Sequence, residues 1–294
     1  MKSNEMRGRG EGKARARNWR ASLPIMLAAF LFSSCSSDGS GTQAKNDDQV
    51  KSETQASSDD QLTDSFRLKR AVRSDDIDEV RRVFAEIGKD INDIYDEGEE
   101  SPLAFAVLFE NIEMVEFFLS EGADVNGPSR SPPIVYAAFM DNIVLVTLLL
   151  ERGADPNSKM EVYGATALGM TTSTVVARLL VDAGADIDAQ ADDGHTALHV
   201  AAIELLLPMV SFLVSEGANI DTQANDGRTV LHIAASQLNL PIVSFLVSEG
   251  ANIEAIDVYG ESALDYAAKA VARDEARAES QESIIELLNQ LDSQ

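Results

Sequence analysis

With one cysteine in 294 residues, the chain can form no intramolecular disulfide and no cysteine-based zinc site. It is also short of positive charge: 24 Lys and Arg stand against 49 Asp and Glu, a formal net of −25. A body this acidic repels phosphate backbones, whose binding rests on Lys and Arg contacts, so nucleic acid is excluded as a partner. No apolar stretch reaches the about 20 residues that a membrane-crossing helix needs. Nucleophile elbow, phosphate-cradling glycine-rich loop and H-E-x-x-H are all missing, and the carboxylates recur at turn and surface positions where solvated charge accounts for them. Catalysis, a cofactor and a small-molecule substrate are therefore not expected. What the chain does have is an apolar content of 45%, the ordinary globular level, which argues against wholesale disorder.

The scarce positive charge is unevenly placed. Residues 1 to 34 hold seven basic and two acidic residues, +5, which leaves −30 for the rest. Arg7, Arg9, Lys13, Arg15, Arg17 and Arg20 precede the apolar run Leu23 to Phe32, and small residues follow it. A basic region, a short apolar run and a small-residue exit describe a secretory signal. The ending Leu31-Phe32-Ser33-Ser34-Cys35 resembles the lipobox of bacterial lipoproteins, with Phe32 where a leucine is usual. The resemblance implies that Cys35 is lipidated and holds the protein to a membrane of a bacterial cell envelope; an incidental free thiol is the plainer alternative. Residues 36–61 contain no aromatic residue and, apart from Val50, no aliphatic larger than alanine, so they read as an unfolded acidic tether. The expected division is a signal peptide over 1–34, a disordered tether over 35–61 and a folded domain over 62–294.

Self-similarity decides the fold class of that domain. The eleven residues Val210 to Ile220 recur unchanged as Val243 to Ile253, a shift of 33. Upstream, Thr196-Ala197-Leu198-His199-Val200-Ala201-Ala202 is followed 33 residues later by Thr229-Val230-Leu231-His232-Ile233-Ala234-Ala235. Weaker copies of the same exit begin at Gly88, Gly122, Gly153 and Gly184, and weaker copies of the opening begin at Ser101, Pro133, Thr166 and Ser262. The pattern resembles the ankyrin repeat, with Ala or Val in place of the proline of its Thr-Pro-Leu-His opening. The resemblance implies an all-α solenoid of about seven stacked helix-turn-helix repeats with projecting β-hairpin turns.

Physical chemistry gives each position a reason. Thr196 and Thr229 suit N-caps. Leu198, Ala201 and Ala202 make one apolar stripe whose alanines let neighbouring helix pairs approach closely. Pro208 and Pro241 open the second helices, where the missing N–H costs nothing. Val210, Leu213 and Val214 are the predicted buried face there. Gly217 and Gly250 are structural, supplying the left-handed exit that a side chain would strain. Thr166 to Gly184 spans 18 residues where regular copies have 21, so the fourth repeat is predicted to lack about a helical turn and to form a weak joint.

His195 and His199 form an i, i+4 pair that could hold zinc on a helix, but His195 falls in the turn before Thr196 and the ligands are too few, so no metal site is expected. His199 and His232, one period apart, take the repeat's structural histidine position. The candidate binding residues are therefore surface ones. In ankyrin repeats the two positions after the Ala-Ala pair face the concave side and are commonly polar. Here they are Leu108 and Phe109, Phe139 and Met140, and Ile203, an apolar patch that binds a partner or else packs inward. The hairpin tips contribute Tyr163, Asp192, Asp193, Asn225, Asp226, Arg228 and Tyr259. Between Asp90 and Ala268 stand 29 acidic and five basic residues, whereas seven basic residues gather between Arg67 and Lys89. The expected partner is another protein with a basic face. Alternatives are an inhibitor or immunity protein masking a basic toxin or hydrolase, and an effector acting inside a host cell.

Overall fold

Many of the helices begin where a short polar side chain takes up the free amides of a first turn, while those after Pro132 and Leu206 open on a proline in their first turn instead. Thr63 Oγ1 accepts from Phe66 N at 3.2 Å, Ser101 Oγ from Ala104 N at 3.2 Å and Asn111 Oδ1 from Met114 N at 2.9 Å. The computed structural model describes residues 63–94, 100–127 and 129–292. The expected signal peptide, its tether and Cys35 lie outside the described residues.

Fourteen α-helices follow one another here in seven pairs, matching the repeats expected from the sequence. The first three pairs are α1 (Asp64–Arg73) with α2 (Ile77–Ile87), α3 (Pro102–Leu108) with α4 (Ile112–Ser120), and α5 (Pro133–Phe139) with α6 (Ile143–Glu151). The fourth and fifth are α7 (Ala167–Met170) with α8 (Thr174–Asp182), and α9 (Ala197–Ile203) with α10 (Leu207–Ser215). The last two are α11 (Val230–Ser236) with α12 (Leu240–Ser248), and α13 (Ala263–Lys269) with α14 (Glu275–Asp292). The hairpins between pairs are short enough that only isolated antiparallel bridges form among the described residues, Lys159 with Thr166 and Ile256 with Ser262. No described helix is long and apolar enough to cross a membrane.

The core is a continuous stripe to which the five middle first helices each contribute a large side chain near their start: Leu103, Ile134, Leu168, Leu198 and Leu231, all at most 2% exposed. Second helices bury a narrower face, Met114, Val115 and Phe118 in α4 and Ile242, Val243 and Leu246 in α12. In α10 that face is Met209, Val210, Phe212 and Leu213, with Val214 only half-buried, so the predicted stripe is rotated toward the helix start. Each such buried side chain contributes about 1.5–3 kcal/mol. Alone, a pair would leave one apolar face wet, so stacking makes the core. The last described helix, α14, buries Ile284 and Leu288 and exposes Glu275, Arg277, Glu279, Glu282 and Glu286 to solvent.

The fourth pair is short as expected: α7 is four residues long, and the chain leaves it extended at Thr171 (φ −85°, ψ 148°). Asp141, thirty residues earlier, fills the place of the missing turn. Its carboxylate accepts from the hydroxyls of Thr171 and Thr172 and from the amides of Thr172 and Ser173, the latter two at 3.0 and 3.1 Å.

Successive pairs are stitched after the second helices. Gly217 and Gly250 leave α10 and α12 at φ +94° and +87°, a conformation that favours glycine. Asn92 Nδ2 donates to Gly122 O at 3.0 Å, while Asn92 Oδ1 accepts from Asp124 N at 2.8 Å. Asn126 and Asn157 repeat this double clamp on Gly153 with Asp155 and on Gly184 with Asp186. At the next two junctions a carboxylate stands instead: Asp188 accepts from Asn219 N and Asp221 from Asn252 N, and neither can donate.

Candidate functional site

His199 and His232 sit at N3 of α9 and α11 and close capping boxes with Thr196 and Thr229. His199 Nδ1 lies 3.2 Å from Thr196 N and 2.9 Å from its hydroxyl; His232 Nδ1 lies 3.1 Å from Thr229 N and 2.9 Å from its hydroxyl. A backbone N–H can only donate, so each Nδ1 is bare and each Nε2 carries the hydrogen. Nε2 then donates to the next hairpin, His199 to Arg228 O at 3.3 Å and His232 to Glu261 O at 3.1 Å. Burial pulls the His199 pKa down to about 4 and also lowers that of His232. With both nitrogens engaged, these histidines stitch repeats together. His195 is buried with its ring edge-on to His199, centroids 5.4 Å apart. Its Nδ1 lies 2.7 Å from Asp193 Oδ2, and its Nε2 has no hydrogen-bond partner among the described residues.

The hairpin tips form a ladder of their own. Asp192 N donates to Tyr163 O at 2.9 Å, Asn225 N to Asp193 O at 3.0 Å and Val258 N to Asp226 O at 3.0 Å. Side chains double it: Lys159 Nζ reaches Gln190 O at 2.8 Å, Gln190 Nε2 reaches Gln223 O at 3.1 Å, and Gln223 Nε2 reaches Ile256 O at 3.0 Å. Of the predicted tip residues, Asp192, Asp193, Asn225 and Tyr259 are exposed, while Tyr163, Asp226 and Arg228 are half-buried. Several are occupied within the scaffold. Asp193 caps His195 N, Asn225 Nδ2 donates to Asp192 O, and Asp226 holds both the amide and the guanidinium of Arg228.

The predicted concave residues stand at the ends of first helices. Leu108 and Phe109 end α3, Phe139 and Met140 end α5, which packs beside α3, and Ile203 ends α9. Phe109 is exposed, with its ring 5.0 Å from Phe105, and the other four are half-buried. They belong to surface and core at once, partly covered and partly wet. The basic cluster of the first repeat is partly answered at home: Arg67 pairs with Glu86 at 3.0 Å, Arg82 with Glu79 and Glu86, and Lys89 with Asp64.

Two buried carboxylates are unmarked in the sequence reading. Glu100 accepts from Ser129 Oγ at 2.6 Å, Ser131 N at 3.2 Å and Tyr136 OH at 2.6 Å. Burial first, and the Glu100 charge second, push the Tyr136 pKa above the ordinary phenol range. Asp257 accepts from the amides of Tyr259 and Glu261 and from Tyr266 OH. Both fasten hairpins. Gln190 and Gln223, one period apart, were findable from spacing; Glu100 was not, because its partners lie about thirty residues on with no repeating counterpart.

A family model described as "Ankyrin repeats (3 copies)" matches residues 68–160 and 205–290, more than half of the chain. Among solved structures, the ankyrin repeat domain of Bcl-3, described as a unique member of the IkappaB protein family, is similar to it. The TM-score is 0.61 with 26% sequence identity, covering 76% of this chain and 97% of that one. No curated protein matches.

Proposed function

Since the chain belongs to the ankyrin-repeat family, a protein-interaction scaffold, we propose that it is a non-catalytic module receiving another protein with a basic face along its first helices and hairpin tips. The observation that carries this reading is the set Leu108, Phe109, Phe139 and Met140, apolar and partly wet on adjacent helices of a stack whose middle is strongly acidic. Aromatic and methionine side chains so placed serve as anchors, and surrounding carboxylates steer a basic partner. An inhibitor or immunity protein that masks a basic enzyme would use the same surface. Partner capture by the wild type and by Phe109→Glu with Met140→Glu, with circular dichroism to verify folding, tests it. The variant should fold and lose the partner; retained capture sinks the proposal.

For location, we propose the lipid anchor at Cys35, on the strength of the basic region, apolar run and small-residue exit that precede it. Metabolic labelling with a fatty acid should mark the wild type and not Cys35→Ser. An unlabelled wild type favours an effector without a lipid.

A further inference from the structure

The four most exposed large apolar side chains among the described residues all lie in the last repeat: Ile256 at 57%, Val258 at 62%, Tyr259 at 72% and Val271 at 80%. α14 turns charged residues outward. The hairpin beside it does the opposite.

That hairpin also ends a ladder. Tyr163, Asp193 and Asp226 each offer a carbonyl to an amide of the next hairpin, and Tyr259, 33 residues after Asp226, holds the same place. Gln190 and Gln223 each reach a carbonyl of the next hairpin; at the same place 33 residues on stands Ile256. Gly194 and Gly227 lie so close to the following backbone that a Cβ there would fall 2.5 Å from Asn225 N or 2.7 Å from Val258 N. At Gly260, their counterpart, no described atom lies within 4 Å of that position. Carbonyl, open glycine face and apolar side chains thus form an edge of the kind that an added strand pairs with.

We infer that the edge Ile256–Gly260 is a docking site for an extended segment of a basic protein, whose N–H adds to Tyr259 O while an alternating apolar side chain packs on Ile256 and Val258. A second copy of the chain is the poorer occupant. Residues 252 to 292 hold ten acidic and three basic residues, a net of −7, so two such ends would repel each other, whereas lysines alternating with apolar residues would be attracted. The inference rests on the reading of the chain as a protein-binding scaffold and uses an edge apart from the ends of the first helices.

The test uses the full-length chain and a fluorescent peptide of about ten residues alternating valine and lysine as the probe, read by anisotropy at low salt. The triple variant Ile256→Ser, Val258→Ser, Tyr259→Ser changes exposed side chains only and should fold. It should bind the probe about tenfold more weakly or worse, and a probe N-methylated at alternate residues, with its charge unchanged, should lose binding to the wild type. Phe139→Glu should bind the probe as the wild type does even where it has lost a partner of the first helices, which separates failure here from failure of the broader reading. No binding by the wild type, equal binding by the triple variant or equal binding of the methylated probe overturns the inference. So does wild-type self-association that the triple variant abolishes, because the occupant is then a second copy.

Discussion

A neutral, buried imidazole makes stability depend on pH. The pKa of His199 is about 4 in the native state against an ordinary value of 6.5, so below pH 6.5 the unfolded chain takes up a proton that the folded one refuses. The contribution of His199 is therefore fully present above pH 6.5 and is lost as the pH falls toward 4, by up to about 3 kcal/mol. Urea midpoints between pH 7 and 5 should fall more steeply for the wild type than for His199→Gln, and parallel slopes would refute the assignment. Leu205 offers a second case. It joins α9 to α10 at φ +60° while 42% exposed, a left-handed conformation that costs a leucine about 1 kcal/mol. Leu205→Asn should raise the thermal midpoint by a corresponding amount, and an unchanged or lower midpoint would count against that strain. The period of 33 put both histidines in one place of the repeat, and the resemblance to ankyrin repeats implied that the place is structural. Their pairing with the threonines was not, because a capping box is sought with Glu or Gln at N3 and here an imidazole closes it.

Among the elements, the fourth pair carries the sharpest expectation. Missing residues between Thr166 and Gly184 foretold a short first helix, and α7 has four residues. That its stub would be held by Asp141 was illegible, because the carboxylate belongs to the preceding repeat and faces the hydroxyls only once the stack is formed. Asp141→Ala should therefore destabilise the protein by about 2 kcal/mol, more than an ordinary half-buried substitution, by leaving amides and hydroxyls unpaired. Amide exchange should quicken in α7 and α8 before it does in α9 to α12; uniform quickening would mean that Asp141 supports the whole stack and not this joint. In α10 the buried face was misplaced by one position. The identical eleven-residue copies fix the repeat, but they do not decide which way a helix rolls against α8 and α12.

At the scale of the molecule, charge governs approach and stitching governs motion. A domain with 41 acidic and 15 basic residues from Leu62 to Gln294 should bind a basic partner in a salt-sensitive way, with association slowing about tenfold or more between low and physiological salt; a rate indifferent to salt would leave the charge as a solubility device. Composition and repeat length made the number of pairs and the sign of the surface readable. They could not tell that Phe139 and Met140 would end half in and half out, since that depends on how closely α3, α5 and α7 pack. The exchange of asparagine for aspartate along the stack has a mechanical meaning. Junctions up to Asn157 are clamped twice behind the second helices, whereas those at Asp188 and Asp221 keep one bond of that clamp, the first of them adding Arg178 to Glu216 at 3.1 Å, and are tied at the hairpins by glutamine and histidine. In the C-terminal half the polar ties gather at the hairpins, so the scaffold itself sets the spacing of the tips, and a partner laid across them meets a row of groups already in register.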